Sequence, residues 1–139
     1  MTRIIADTGP LVAFLDRRDA NHGWAREQFD RISTPVVTAE AVVTEVFFLL
    51  NRPGLDPDWM ADLIERGIVE VPFRLAEDIL PIRKLMLRYR DQPMSLADAC
   101  VVRMSEVVAE SVVFTMDRDF TIYRKNRLRK IPLLSPFDS

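Results

Sequence analysis

The stretch Arg3-Ile4-Ile5-Ala6-Asp7-Thr8-Gly9-Pro10, continued by Leu11-Val12-Ala13-Phe14-Leu15, constrains the fold more than any other part of the chain. An apolar run stops on an acid, turns through Gly-Pro and resumes apolar spacing. That order predicts strand, turn and helix, with Pro10 in a first helical turn that tolerates its missing N–H. Asp7 then stands at the carboxyl end of the first strand. In an open parallel sheet ligands bind outside that end, so Asp7 is a candidate to hold a metal or a proton. The competing reading is that Asp7 or Thr8 caps the following helix, since both types are favoured there.

The rest of the chain repeats the alternation. A one-sided helix is predicted over residues 21–32, with Trp24, Ala25, Phe29 and Ile32 on its apolar face, and a short strand over 35–38. Residues 39–50 are apolar nearly all round, which predicts a buried helix ending before Arg52-Pro53-Gly54. A helix opened by Asp56-Pro57 and closed by Gly67, a strand over 68–71, and a long helix over 75–90 follow. Ser95 begins a helix running to Ala109, residues 112–115 form a fourth strand, and 131–134 form an edge strand because Pro132 lies within it. Strands alternating with helices predict a three-layer α/β/α domain around a mostly parallel central sheet, spanning residues 1–139 as one unit. Strand order does not follow from the sequence.

Several function classes are excluded early. The net charge of -2 argues against a protein that blankets phosphates with a basic surface. The longest apolar run, Val46-Phe47-Phe48-Leu49-Leu50, is too short to span a membrane, and no signal-peptide pattern opens the chain, so a cytoplasmic protein is expected. The one cysteine, Cys100, lies between apolar neighbours and reads as a core residue, excluding a thiolate zinc knot. The one histidine, His22, stands near a helix start, so chemistry that needs a histidine pair is disfavoured.

The acids carry the remaining signal. Asp98 completes a capping box with Ser95, and Asp117 and Asp119 can open turns after the fourth strand, so each has a local structural explanation. Glu45 has none. Its neighbours one turn away are Ala41, Val42, Phe48 and Leu49, so its carboxylate is expected to face the core, where it must be protonated, paired or bound to a metal. In a parallel sheet Asp7, Asp98 and Asp117 fall on one edge. Oxygen-rich, histidine-free clusters suit hard cations, so these acids define a candidate magnesium or manganese site.

Four motifs in order, Asp7-Thr8-Gly9-Pro10-Leu11, Glu45 within an apolar helix, Ser95-Leu96-Ala97-Asp98-Ala99 and Thr115-Met116-Asp117-Arg118-Asp119-Phe120, resemble those of PIN-domain nucleases. Within them they resemble the VapC-type toxins of toxin–antitoxin pairs. The resemblance implies that Asp7, Glu45, Asp98 and Asp117 form a catalytic metal site, with Thr8 and Thr115 as auxiliary polar residues. Asp119 can share the role of Asp117 and ranks behind it because it lies further from the strand end. The resemblance further implies a Mg²⁺- or Mn²⁺-dependent endoribonuclease acting on RNA, a cognate antitoxin, and a homodimer.

The resemblance also implies attack by water rather than by a ribose hydroxyl, so products with 5'-phosphate and 3'-hydroxyl ends are expected. The basic run Arg124-Lys125-Asn126-Arg127-Leu128-Arg129-Lys130, with Arg83, Lys84, Arg88 and Arg90, offers local positive charge for RNA or a plain solvated face. Two other functions compete. An aspartyl-phosphate phosphatase needs an acid two residues after the first aspartate, and that position is Gly9. A non-catalytic PIN-like scaffold binding RNA or protein would retain the acids without turnover.

Overall fold

The computed structural model describes residues 1–137. Five parallel strands form the central sheet in the order β3-β2-β1-β4-β7: β1 Arg3–Ala6, β2 Val36–Val37, β3 Val69–Glu70, β4 Ser111–Phe114 and β7 Leu133–Leu134. The intervening helices are α1 Thr8–Leu15, α2 His22–Arg31, α3 Glu40–Leu50, α4 Asp58–Glu65, α5 Ile79–Arg88 and α6 Leu96–Val107. They cover both faces of the sheet, giving the three-layer α/β/α architecture.

Apolar strand residues explain the centre of the sheet. Ile5, Ala6, Val113 and Phe114 are fully buried, and β1 and β4 pair in register from Arg3 with Ser111 to Ala6 with Phe114. The Phe114 ring meets Trp24 and Phe29 of α2 at centroid distances of 5.4 and 5.5 Å. The chain winds from β1 outward to β2 and β3, then returns to place β4 on the other side of β1. The crevice between β1 and β4 is therefore the switch point where open α/β sheets bind ligands.

Three sequence expectations are corrected. The helix expected over 75–90 is a 3-10 turn at Leu75–Asp78 followed by α5. Pro81 explains this, because a restart at Ile79 puts it in the first turn, where no N–H is needed. The helix over 39–50 is not buried all round: Val42, Val46 and Leu50 make a buried stripe, while Phe48 is 75% exposed. Apolar character permits burial without enforcing it. Residues 124–130, read only as a charge run, contain an antiparallel hairpin of β5 Arg124–Lys125 and β6 Arg129–Lys130. Among the described residues no helix is long and apolar enough to cross a membrane.

Candidate functional site

Asp7 follows β1 in extended conformation, and its N–H donates to the Phe114 carbonyl at 2.9 Å, continuing the β1–β4 ladder by one residue. It occupies the N-cap position of α1 but makes no side-chain capping bond. Its Oδ2 instead accepts the hydroxyl of Thr115, the residue after β4, at 2.7 Å. That hydroxyl also accepts the Asp117 N–H at 3.0 Å, and Asp117 Oδ1 accepts the Asp119 N–H at 2.9 Å. Fully buried Thr115 thus ties the ends of both central strands together.

Asp98 reaches the same rim from the first turn of α6. Ser95 caps that helix by accepting the Asp98 N–H at 3.0 Å, as the capping box requires. The Asp98 carboxylate accepts the hydroxyl of Tyr123 at 2.9 Å. One oxygen from each of Asp98, Asp117 and Asp119 lies within 4.8 Å of the others. Asp119, ranked behind Asp117 in the sequence, therefore belongs to the closest triad, because the tight turn at Asp117 brings it back to the rim.

Glu45 takes a different place from the one its sequence context suggested. Its side chain is half-buried rather than core-facing, and its Oε1 accepts the Thr8 hydroxyl at 2.7 Å. Thr8 is the neighbour of Asp7, so Glu45 borders the rim from α3. Asp7 and Glu45 both stand outside the triad.

Burial dominates the electrostatics. It raises the Asp7 carboxyl to about 7; the Thr115 hydroxyl opposes the shift, and the nearby charges of Asp98 and Asp117 add to it. Asp98 is also raised, by burial first, with the Tyr123 hydroxyl opposing and Asp117 adding. Tyr123 is pushed up by burial and by Asp98, so it remains a donor. Among the described residues no lysine or arginine forms an ion pair with Asp7, Glu45, Asp98, Asp117 or Asp119. Crowded carboxylates without a basic partner, two of which, Asp7 and Asp98, are raised by burial and by neighbouring acids, fit a hard divalent cation that would take over that role.

Sequence reasoning missed Tyr123. Its signal was present, since a tyrosine at apolar spacing from Phe120 needs a partner for its hydroxyl, but the identity of that partner is a tertiary fact. The other two candidates keep their modest roles. Burial raises the Cys100 thiol to about 11, leaving it inert, and His22 begins α2 with Nδ1 donating to the Ala13 carbonyl at 2.8 Å.

The model of the PIN domain family matches residues 4–126, and the chain belongs to that family. The VapC-type likeness also holds among individual proteins. The chain is 29% identical over 118 residues to ribonuclease VapC26 of Mycobacterium tuberculosis, covering 83% of this chain and 87% of that one. Its fold is similar to the crystal structure of Mycobacterium tuberculosis VapC20, a toxin that cleaves the sarcin-ricin loop. That match has a TM-score of 0.78 at 23% identity, across 91% of this chain and 98% of the other.

Proposed function

We propose that the chain is a divalent-metal-dependent endoribonuclease and the toxin of a toxin–antitoxin pair. The observation that carries this reading is the convergence of Asp7, Asp98, Asp117 and Asp119 at the β1–β4 switch point, with no cationic partner among the described residues. Membership of the PIN family and the likeness to a VapC ribonuclease support it. The whole of residues 1–139 is read as one nuclease domain.

Asp7, Glu45, Asp98 and Asp117 are assigned as the metal-holding and catalytic set, with Asp119 beside Asp117 and Thr8 and Thr115 as auxiliary residues. When bound, Mg²⁺ or Mn²⁺ supplies a Lewis acid that activates water and offsets phosphoryl charge. Thr115 holds Asp7 and the Asp117 turn in one orientation. Glu45 has one oxygen engaged by Thr8, and its partial exposure suits it to orient an attacking water and accept its proton. Tyr123 fixes one oxygen of Asp98 and leaves the other for the metal.

Protein partners are proposed as well: a second copy of the chain and a cognate antitoxin. Phe48 on α3, and Leu80 and Leu87 on α5, are large apolar side chains left exposed, which a protein partner would cover. A cytoplasmic location is part of the same reading, because the RNA it would cleave is found there. The test is cleavage of total RNA with Mg²⁺ or Mn²⁺ and mapping of the product ends. The reading expects 5'-phosphate and 3'-hydroxyl termini and loss of cleavage in Asp98→Asn. A cyclic 2',3'-phosphate product, or cleavage that persists in both Asp7→Asn and Asp98→Asn, would remove it.

A further inference from the structure

A cleft of about 960 Å³ lies away from the carboxylates, between the α1–α2 connection and the turn joining α3 to α4. Its walls carry Arg17, Arg18, Arg26 and His22 beside the rings of Phe14 and Trp59, against two acids, Asp16 and Asp30. Asp16 is already engaged, since its Oδ1 accepts the Arg18 backbone N–H at 2.9 Å and lies 3.4 Å from Arg18 Nε. Among the described residues Arg17 and Arg26 form no ion pair.

The cleft is organised rather than merely basic. Arg18 donates through Nη2 to the Pro53 carbonyl at 3.4 Å, across the cleft. Gly54 makes that approach possible: its φ of +85° suits glycine, and a Cβ there would stand 3.3 Å from Arg18 Nη1. His22 Nδ1 is engaged by the Ala13 carbonyl at 2.8 Å, so Nε2 is the ring nitrogen left for a ligand. Trp59 is 40% exposed. Guanidinium groups match phosphate oxygens bidentately, and exposed rings stack on bases, which together are the requirements of single-stranded nucleic acid.

We infer that this cleft holds a phosphate and base of single-stranded RNA several nucleotides from the cleaved bond. This rests on the nuclease reading and adds to it a second contact that the sequence did not reveal. Helix α1 leads from the rim at Thr8 to the cleft at Leu15, a path of roughly 12 Å at the α-helical rise. A strand lying over the surface beside α1, whose own residues are buried or half-buried, is long enough to span that separation. A chain of net charge -2 also needs its positive contacts concentrated locally, as they are here.

The test uses the full chain carrying Asp98→Asn to prevent cleavage, with fluorescein-labelled oligouridine of 20 and of 2 nucleotides in magnesium buffer. Adding Arg17→Glu and Arg26→Glu is expected to weaken 20-mer binding about tenfold, to lower its salt slope by about 0.7, the share of one phosphate on a single strand, and to leave the 2-mer, too short to span both sites, little changed. Trp59→Ala is expected to weaken the 20-mer without changing the slope. Unchanged thermal midpoints establish that the variants are folded. Equal 20-mer affinity and slope in the charge-reversed protein would overturn the inference. So would a change confined to self-association, which would make the cleft a protein interface. Cleavage of total RNA by the protein with Asp98 intact is scored separately, so failure of the nuclease reading is distinguishable from failure of the cleft.

Discussion

The carboxylate rim and the hairpin of β5 and β6 both crowd charges of one sign, yet they are built in opposite ways. At the rim the charges are buried or half-buried and side-chain hydroxyls hold them: Thr115 on Asp7, Tyr123 on Asp98, Thr8 on Glu45. In the hairpin Arg127, Arg129 and Lys130 are exposed, and the backbone is what is anchored. The Arg124 N–H donates to the Tyr89 hydroxyl at 2.9 Å, and the Asn126 N–H donates to Glu106 Oε2 at 2.6 Å. Repulsion at the rim is therefore stored in the fold, whereas in the hairpin solvent and salt screen it. The rim should govern turnover and metal-linked stability, and the hairpin should govern affinity and its salt dependence.

The largest expected effect lies at the rim. Asp98→Asn or Asp117→Asn should lower kcat by about a thousandfold while RNA binding survives, as measured by single-turnover cleavage and anisotropy. An equal loss from Arg129→Glu would erase the contrast between the two regions.

Asp7→Asn should abolish cleavage and yet stabilise the metal-free protein, by about 1–3 kcal/mol at pH 8 in chelator. The sign follows from the raised carboxyl. Its value is about 7 folded against 3.8 ordinarily, so between those limits the folded state binds more protons. Stability of the metal-free protein accordingly falls as pH rises from about 4 to about 7, and Asp7→Asn should flatten that slope. Magnesium or manganese should restore stability at the alkaline end. Thermal midpoints across pH, with and without metal, check both statements.

Tyr123→Phe sharpens the comparison within the rim. Removing the hydroxyl frees Asp98 to rotate, so kcat should fall about tenfold with KM nearly constant, at a stability cost of about 1 kcal/mol. A change in KM alone would show that Tyr123 serves substrate binding instead. The smallest effect is expected in the hairpin, where Arg127→Glu with Arg129→Glu should leave kcat intact and lower the salt slope of RNA binding by about 1.4. An unchanged slope would make the hairpin ordinary surface.

The parts of the site legible in the sequence are those whose geometry is local. Asp7 at a strand end follows from an apolar run broken by Gly-Pro, and Asp98 in a first turn follows from Ser95 three residues before it. What stayed hidden depends on distant residues. The hairpin lacks a glycine turn: Asn126 and Arg127 hold φ values of 47° and 74°, a conformation that composition does not announce. Tyr123 meets Asp98 across 25 positions of sequence, and Asp119 joins the triad only because the Asp117 side chain closes a turn. Glu45 shows the opposite error. Its apolar neighbours suggested a core position, but the buried stripe of α3 passes through Val42, Val46 and Leu50 and leaves Glu45 at its margin.

The most direct measurement is calorimetric titration of the folded, metal-free protein with Mn²⁺, repeated on Asp98→Asn/Asp117→Asn. The account predicts saturable binding that disappears in the double variant while the circular dichroism spectrum is retained. Binding of equal strength in both proteins, or none in the unsubstituted one, would contradict it.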